Sequence, residues 1–366
     1  MIRVGITERH GIAQEYAKYP PENVDYSFIE QVPRWTDKVL TSTAKGVWGT
    51  FESNNHDLLE APLFPILTRN KWIYTPADGP SAFAYGLLGL PAPRIFRSLF
   101  FREMLLAENF KKLIFKSRAG MESFKQYPLM NSAKILNKTD VVYPAVRTVP
   151  DELLSSGSQN DFVITFVGEF FRKGGKHVVD AFEELQKKHK NIQLNIFADE
   201  KKHFEFTPLK KIYLDKIRNN KKIFLCYVSR DELFHKYLPM TDVFISPTYK
   251  ETFGYALVEA MAFGLPVIST NHFAIPEIID PKKNGILIDT EQFEFIKTLK
   301  GYTFDSIPEE FDLYMKEQAF NALDELIRDE DFRKSLSHGA LLKARNVFSF
   351  QHRNERMRKI YQNAVD

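Results

Sequence analysis

The sequence predicts an α/β protein made of two Rossmann-like domains. Three observations support this prediction: the length of the chain, the alternation of strand-like and helix-like segments in its second half, and a polar segment between the two halves. The chain has 366 residues, and because a single hydrophobic core rarely grows beyond about 250 residues, two domains are expected. Hydrophobic residues make up 44% and charged residues 27% of the chain, which excludes an intrinsically disordered protein and a disulfide scaffold.

Six short runs of β-branched and aromatic residues in the second half predict strands. They are residues 162–167, 192–197, 223–228, 242–246, 267–270 and 285–288. The helices predicted between them cover residues 176–189, 229–237 and 255–263. A capping box of Ser229 and Glu232 begins the second of these helices, and Gly264 ends the third. Strands that alternate with helices in this way indicate a parallel sheet covered on both faces.

The first half gives a weaker strand pattern. The strands predicted there are residues 2–6, 71–75, 113–116 and 141–143. Residues 144–160 are polar and contain Pro150 and a serine-rich stretch, so they predict a linker between domains. We therefore expect one domain at 1–150 and a second at 151–345, with helical composition from Ile307 onward.

Composition also restricts the location of the protein. Cys226 is the only cysteine, so no internal disulfide is expected and nothing implies an oxidising compartment. No apolar run reaches the roughly 18–20 residues of a membrane span, and Met1–Gly5 reads as the start of a strand and not as a signal peptide. A cytoplasmic location is expected. The net charge of +3 is too small to indicate nucleic-acid binding.

The strand predicted at 242–246 leads into a segment with Glu251 and Glu259 on either side of Gly254. Ligands of α/β domains bind beyond the carboxyl ends of the strands. A helix that begins near Tyr255 presents unpaired backbone N–H groups that bind anions, and a glycine lets the backbone approach a phosphate closely. Two carboxylates beside such a cradle are suited to accept hydrogen bonds from sugar hydroxyls. The alternative is an ordinary helix start with glutamates that cap it or lie in solvent.

This segment resembles the E-x7-E region of retaining glycosyltransferases with the GT-B fold, specifically glycosyltransferase family 4 (glycosyl transferases group 1). Further segments that resemble the family are Phe166 to Gly168, Arg172 to Gly175, Val228 to Leu233, Ile275 to Ile278, Asn284 to Leu287 and Phe348 to Tyr361. The resemblance covers roughly residues 161–366 and is weak in the first half. It implies two Rossmann-like domains that face each other across a cleft, with residues 346–366 as a helix that crosses back to the first domain.

The resemblance implies a nucleotide-diphosphate-sugar donor, bound mainly by domain 151–345, and a metal-independent transfer that retains the anomeric configuration. It places Glu251 on the transferred sugar, Glu259 on the ribose and Lys173 on the diphosphate. The loop from Val228 to Leu233 is implied to lie against the nucleotide base. The donor-binding residues that it implies, apart from Glu251, are Gly168, Arg172, Lys173, Val228, Thr252, Phe253, Gly254, Tyr255 and Glu259. The N–H groups of residues 252–255 are expected to hold phosphate oxygens. No metal ligands and no cofactor besides the donor substrate are expected.

Three places depart from the family pattern. Glu169 stands where relatives commonly have an arginine, and Arg172 either substitutes for that arginine or is a solvated cation at a helix start. Phe273 and Ala274 replace a glycine pair, which predicts a narrower donor pocket or a different turn of the sugar-binding loop. Residues 7–11 lack the usual double glycine after the first strand, which leaves open whether this loop contacts the donor phosphates.

The first domain is expected to supply the acceptor site and part of the reaction centre. Asp78 follows the strand predicted at 71–75, which is a sensible place for a polar catalytic group; alternatively Asp78 and Gly79 only form a turn. His56 and His272 are rival candidates, with an ordinary loop histidine as the alternative for each. Because transfer with retention by a front-side route needs no enzymic nucleophile, none is predicted.

Charge is uneven along the chain. Residues 1–150 hold 19 basic and 14 acidic side chains, whereas residues 151–366 hold 31 and 33. Between Pro91 and Lys125 there are eight basic and three acidic side chains, interspersed with Phe and Leu. Such a stretch either lies on an anionic membrane as an amphipathic helix or packs its apolar residues under the sheet. The partners to consider are the donor, a glycan or lipid-linked sugar acceptor and an anionic membrane surface, but not nucleic acid.

The leading hypothesis is a sugar transferase acting on a growing glycan, a lipid-linked sugar or another sugar acceptor. The alternatives are a nucleotide-sugar epimerase, or a pseudoenzyme or assembly subunit that keeps the fold without turnover. The departures at Glu169 and Phe273 favour the pseudoenzyme, whereas the presence of both Glu251 and Glu259 opposes it.

Overall fold

The structure is a computed structural model that describes residues 1–9, 11–30, 55–84, 94–158, 160–205, 207–293 and 307–366, without the side chains of 83, 84 and 94–97. These residues form two compact units. The first unit combines Met1–Ala145 with Phe350–Asp366, and the second unit is Val146–Ser349. In the part of the chain that the structure describes, no helix is long and apolar enough to cross a membrane.

The first unit contains a parallel six-stranded sheet in the order β2-β1-β3-β4-β5-β6. Its strands are β1 Ile2–Ile6, β2 Val24–Phe28, β3 Leu58–Ala61, β4 Trp72–Tyr74, β5 Phe110–Phe115 and β6 Thr139–Val141. Strand β2 was missed although its apolar and polar residues alternate, which is a strand signal. Strand β3 was missed because it is only four residues long and includes a buried glutamate, Glu60.

Helices cover the sheet of the first unit. They are Gly11–Lys18, Gly79–Ala84, Arg94–Leu106, Arg118–Lys125, Ala133–Leu136 and Phe350–Val365. The helix Arg94–Leu106 lies in the basic stretch, whose residues 91–93 and side chains 94–97 fall outside the described residues. Phe101 and Leu105 of this helix are fully buried in the core. These residues therefore pack against the protein, as the second of the two interpretations of the stretch expects, whereas Leu99 of the same helix is exposed.

The last helix of the chain is an integral part of the first unit. Met357 and Tyr361 are buried in one apolar cluster with residues of β1, β3, β4 and β5. The Tyr361 hydroxyl donates a hydrogen bond to the Glu60 carboxylate, and the Arg353 guanidinium lies 3.5 Å from the centre of the Tyr16 ring. Residues from the two ends of the chain thus share one core, which ties the sequence-distant helix to the sheet.

The second unit contains another parallel six-stranded sheet, in the order β12-β11-β10-β7-β8-β9. Its strands are β7 Phe162–Val167, β8 Ile192–Phe197, β9 Ile223–Cys226, β10 Val243–Ser246, β11 Val267–Thr270 and β12 Gly285–Ile288. All six strands were predicted, most of them to the residue. Short runs rich in β-branched and aromatic residues made these strands predictable, because such residues are favoured in a sheet covered on both faces.

The helices of the second unit include the predicted ones and two more, Leu209–Asn219 and Ile275–Ile278. In chain order the helices are Gly175–Lys188, Leu209–Asn219, Arg230–Glu232 (continued by π-helical and 3-10 turns to Met240), Tyr255–Ala262, Ile275–Ile278, Glu309–Arg328 and Glu330–Val347, and a 3-10 turn lies at Asp151–Leu153. The capping box is confirmed, since Ser229 and Glu232 each accept from the other's backbone N–H. The two sheets confirm the predicted α/β class.

Each sheet reverses its strand order at one point. In the second unit, β7 is followed in sequence by β8 on one side and has β10 on its other side. In the first unit, β1 lies between β2 and β3 in the same way. The loops that leave two such neighbouring strands diverge and leave a crevice, which is where α/β folds bind ligands. In the second unit this crevice lies between the loops that follow β7 and β10.

These two loops pack directly on each other. Gly174 has φ of 77°, and a Cβ on it would lie 2.3 Å from the Pro247 carbonyl oxygen. The Tyr249 N–H donates to the Arg172 carbonyl at 3.4 Å. Only glycine meets both the left-handed backbone and the close approach at this position, so Gly174 sets the spacing of the two loops.

We expect Gly174→Ala to destabilise the second unit by about 1–3 kcal/mol, because alanine strains the left-handed backbone and collides with Pro247. Urea unfolding followed by circular dichroism measures the change. Gly11→Ala is the matched control, since a Cβ at Gly11 meets nothing within 4 Å, and it should leave stability unchanged or slightly raised. Equal stability of wild type and Gly174→Ala would contradict the packing described.

Candidate functional site

The candidate site lies at the carboxyl ends of β7 and β10. Gly168 follows β7 with φ of 111°, and a Cβ there would lie 3.2 Å from the Lys173 side chain. Glycine at this position therefore lets Lys173 fold back over the end of the strand. Gly168 and Lys173, both expected at the site from the sequence, lie side by side.

Lys173 meets Glu251 from the loop after β10. The Lys173 Nζ lies 3.4 Å from Glu251 Oε2, and both side chains are more than four-fifths buried. Burial opposes ionisation of Glu251, but the Lys173 charge and the N–H groups of Thr252 and Phe253 outweigh it and hold its pKa below the ordinary value. Glu251 is therefore an ionised hydrogen-bond acceptor at neutral pH.

The helix Tyr255–Ala262 begins beside Glu251. Gly254 precedes it in a left-handed conformation with φ of 109°, as close backbone approach would require. The N–H groups of Thr252 and Phe253 donate to Glu251 Oε1 at 3.0 and 3.4 Å. Two of the four N–H groups expected at a phosphate thus point at the Glu251 carboxylate, which a bound anion would have to replace.

Glu259 lies one helical turn further on and pairs with Arg230. The Arg230 guanidinium donates to Glu259 Oε1, and its plane lies 5.3 Å from the centre of the Phe234 ring. Burial raises the pKa of Glu259, although Arg230, Lys173 and Arg147 act in the opposite direction. Arg230 was missed by sequence reasoning, and its position inside the segment that resembles the nucleotide-base loop was the signal available.

The segment of Arg230 also carries Val228, the residue implied at the nucleotide base. Val228 is half-buried and follows β9, the edge strand of the sheet. The capping box fixes the helical turn that begins at Ser229. Because Arg230 reaches from this turn to Glu259, the base loop and the helix Tyr255–Ala262 are joined at the site.

Arg172 and Glu169 form an ion pair within the loop after β7. Glu205 also binds this loop. Its carboxylate accepts hydrogen bonds from the N–H groups of Phe171 and Arg172, both at 3.0 Å. Both members of the pair keep part of their surface exposed, 32% for Glu169 and 40% for Arg172. Arg172 therefore lies at the edge of the site, where its positive charge is paired with the Glu169 carboxylate.

Phe273, which replaces a glycine of the family pattern, has an unfavourable backbone conformation. Phe273 has φ of 50°, one of three described non-glycine residues with positive φ, and this region costs most residues about 1 kcal/mol or more. His272 beside it is buried, and burial lowers its pKa to about 4 although Glu251 favours the charged form. The histidine is therefore neutral at pH 7, close to Glu251.

Asp78 and His56 belong to the first unit, unlike the residues above. Asp78 caps the helix Gly79–Ala84, because its Oδ1 accepts the Ser81 N–H at 2.7 Å. His56 precedes β3, and its Nε2 lies 2.6 Å from the Ser27 hydroxyl on β2. Asp78 thus has a structural task at the carboxyl end of β4, while the His56 ring lies against Ser27 of β2 and Gly5 of β1.

Two further charged groups lie at the carboxyl ends of the first sheet. Burial raises the pKa of Glu8 to about 7, and Glu60 adds to the rise against the hydrogen bonds from Thr7 and Phe64. Burial lowers the pKa of Lys116, which follows β5. Sequence reasoning assigned neither residue a role, because their burial depends on the packing of distant loops. Groups of this kind are common at functional crevices.

Among the residues that the structure describes, no three His, Cys, Asp or Glu side chains are grouped as a metal site would require. The side chains described near the carboxyl ends of β7 and β10 include three cations that pair with carboxylates, namely Arg172, Lys173 and Arg230.

Comparison with known sequences assigns the second unit. Residues 155–300 match the sequence model of the family described as "Glycosyl transferases group 1", so the chain carries a domain of that kind. The capsular polysaccharide biosynthesis glycosyltransferase CapM of Staphylococcus aureus is 24% identical over 203 residues, which cover 55% of this chain and 46% of CapM. The chain thus spans about half the length of the relatives that it matches first.

Comparison with solved structures assigns the fold. The HepE protein of Anabaena in complex with UDP superimposes with a TM-score of 0.66 at 15% identity, over 99% of this chain and 100% of that chain. Sucrose-phosphate synthase from Thermosynechococcus elongatus gives a TM-score of 0.65 at 12% identity, over 99% and 98% of the two chains. The two parallel six-stranded sheets therefore have the architecture of GT-B glycosyltransferases, as predicted.

The buried, neutral His272 predicts a pH dependence of stability. Its pKa is about 4 in the folded protein against an ordinary 6.5, so below pH 6.5 the unfolded chain binds a proton that the folded chain does not. Stability should fall as pH drops from 6.5 towards 4, by up to roughly 3 kcal/mol from this residue. We expect His272→Gln to flatten that part of the free energy of unfolding, measured with urea at each pH.

The control for this measurement is His338→Gln, which changes an exposed histidine on the helix Glu330–Val347. Its free energy of unfolding should follow the wild-type pH dependence. A His272→Gln profile that runs parallel to wild type between pH 6.5 and 4 would show that this histidine is not held neutral.

Proposed function

We propose that the protein is a retaining glycosyltransferase that moves a sugar from a nucleotide-diphosphate-sugar donor to a glycan, lipid-linked or other sugar acceptor. The observation that carries this proposal is the placement of Glu251 and Glu259 on either side of a left-handed glycine, where β7 and β10 reverse the strand order. The group 1 domain match over the same residues supports it.

In this proposal the two glutamates bind hydroxyl groups. Glu251 is ionised and buried beside Lys173, so it accepts hydrogen bonds from the transferred sugar. Glu259 is oriented by Arg230 and accepts hydrogen bonds from the ribose. Val228, on the loop that carries Arg230, packs against the base. Buried acceptors of this kind discriminate strongly, because an unmatched ligand leaves them unpaired.

The diphosphate is bound in this proposal at the start of the helix Tyr255–Ala262, beside Lys173 and Arg172. When the bond from the anomeric carbon to the phosphate oxygen breaks, the electron pair goes to the diphosphate. The acceptor oxygen bonds to the same face of that carbon, and its proton passes to the departing phosphate. Fixed cations and helix N–H groups stabilise the growing negative charge. This is the task of a metal ion in other transferases, so the transfer is proposed to be metal-independent.

The acceptor is assigned in this proposal to the first unit, which carries the polar groups at the carboxyl ends of β1 to β5. Asp78 is proposed to contact the acceptor from the end of β4. The Oδ1 atom that caps the helix Gly79–Ala84 leaves Oδ2 for a ligand. A role in binding and not in proton transfer agrees with this structural duty.

The test is a thermal-shift and transfer assay across a donor panel with and without EDTA. UDP-glucose and UDP head the panel, because the structural neighbour HepE was solved with each of them. We expect at least one nucleoside diphosphate to raise the Tm, with no effect of EDTA, and product mass to show one added sugar. Stabilisation without transfer would favour the pseudoenzyme that the ion pair at Glu169 leaves open. No stabilisation by any diphosphate would refute a donor site.

Glu259→Ala should strongly reduce the nucleotide-dependent rise in Tm, because the ribose loses its acceptor and Arg230 loses its partner. The expected loss of affinity is about tenfold or more, since removing one partner of a buried charged hydrogen bond costs about 1.5–3 kcal/mol. Glu325→Gln, on an exposed position of the helix Glu309–Arg328, is the control and should bind as wild type. Unchanged binding by Glu259→Ala would show that the ribose contact is misassigned.

We also propose that the first unit contacts an anionic membrane surface. Phe101 and Leu105 of the helix Arg94–Leu106 are buried in the core, so the support for this proposal comes from a groove of about 410 Å³ between β5, β6 and the last helix. Lys111, Lys112, Arg356 and Lys359 line this groove, and Asp140 is its one lining carboxylate. Anionic lipid head groups are attracted to such a concentration of cations.

Replacing Lys111 and Lys359 together by Gln should weaken binding to phosphatidylglycerol vesicles by about tenfold or more, since each cation near such a surface contributes about 1 kcal/mol. Vesicle flotation at low salt measures the binding, with pure phosphatidylcholine vesicles as the uncharged comparison. Lys201→Gln with Lys202→Gln, both exposed in the second unit, is the matched control. Equal flotation of wild type and the Lys111/Lys359 variant would exclude the groove as a lipid contact.

A further inference from the structure

Three cations of the candidate site each pair with a carboxylate. Arg172 pairs with Glu169, Lys173 with Glu251, and Arg230 with Glu259. In the proposed function, Glu251 and Glu259 bind sugar and ribose hydroxyls, so their charges serve the ligand. Glu169 has no such task. It lies one residue after Gly168, at the end of β7, in the same loop as Arg172 and Lys173.

A diphosphate that uses Arg172 must take it from Glu169. The pair is partly exposed, and ion pairs of this kind are weak enough for a ligand to break. The free energy needed to break the pair nevertheless reduces the affinity of every ligand that binds Arg172. Because the carboxylate stays in the same short loop, it remains a competitor for the guanidinium while the ligand is bound.

This cost does not fall equally on donor and product. The product nucleoside diphosphate has a free terminal phosphate that ionises a second time near pH 6, whereas in the donor that phosphate is esterified with the sugar. The product therefore carries more negative charge and gains more from an unpaired Arg172 than the donor does. A residue that pairs with Arg172 therefore weakens binding of the product more than binding of the donor. Only such a difference changes the ratio of the two affinities.

We propose that Glu169 is a product-release residue: by holding Arg172, it weakens binding of the nucleoside diphosphate product relative to the donor. This inference rests on the proposed function and assigns a role to a residue that otherwise only departs from the family pattern. Product release limits the turnover of many enzymes. A carboxylate in the loop after β7 is a means of speeding that step without altering the groups that bind the sugar.

The test compares wild type with Glu169→Gln, a nearly isosteric change that leaves the loop its hydrogen-bonding capacity. Isothermal titration with UDP, GDP, ADP and dTDP identifies the diphosphate that binds wild type most tightly. For that nucleotide we expect the Kd to fall about three- to tenfold in Glu169→Gln, because the variant removes one negative charge that competes with the diphosphate for Arg172. The KM of the corresponding nucleotide sugar should fall less, and inhibition by the product should strengthen in parallel.

A double-mutant cycle tests whether Arg172 mediates the effect. With Arg172→Gln already in place, Glu169→Gln should change the Kd of the diphosphate by less than about twofold. A gain that persists in full without Arg172 would overturn the competition that we propose. Glu325→Gln is again the control, and thermal unfolding of each variant verifies that it is folded.

The possible failures are distinguishable. If wild type binds none of the four diphosphates, the proposed function falls and this inference falls with it. If wild type binds a diphosphate and Glu169→Gln binds it equally or more weakly, only the inference is overturned. If both the product Kd and the donor KM fall by the same factor, Glu169 lowers affinity without favouring release, which also contradicts the proposal.

Discussion

The close packing of the loops that follow β7 and β10 is the constraint on which the site of the second unit depends. Parallel strands place both loops at one edge of the sheet, and the reversal of strand order separates the helices that follow them. Gly174 and Pro247 then bring the two backbones into contact. Lys173, next to Gly174, is directed towards Glu251 on the facing loop by this packing. The ion pair at the centre of the site is therefore a consequence of backbone geometry.

The electrostatics of the site follow from burial. Glu251 and Glu259 lie in the same crevice, and burial acts against the charge of both, yet their pKa values move in opposite directions. Glu251 has Lys173 and two backbone N–H groups as partners, which outweigh burial, whereas for Glu259 burial outweighs Arg230. Side chains of one residue type thus acquire different proton affinities from their partners, as in many sites that bind polar ligands. The protonation of Glu251 and Glu259 therefore depends on their partners Lys173 and Arg230 as much as on burial.

The first unit shows the same principle on a larger scale. Glu60 is a buried glutamate in a short strand, and its burial raises its pKa despite the opposing charges of Arg353 and Lys116 and the hydrogen bond from Tyr361. Two of these partners come from the last helix of the chain, and Lys116 follows β5. A buried carboxylate is tolerable only with such partners. The last helix is therefore needed to complete the polar interior of a unit whose strands lie more than 200 residues earlier.

The sequence by itself determined the α/β class, all six strands of the second sheet and the order of its motifs, because short runs of β-branched and aromatic residues and capping residues such as Ser229 are local signals. It also placed Glu251 and Glu259 around one helix start. Only the tertiary structure decided which groups pair there, because Arg230 lies 29 residues before Glu259 and their contact depends on strand order. The positive φ of Phe273 and the burial of Glu8 likewise arise from packing between distant segments, which no local pattern encodes.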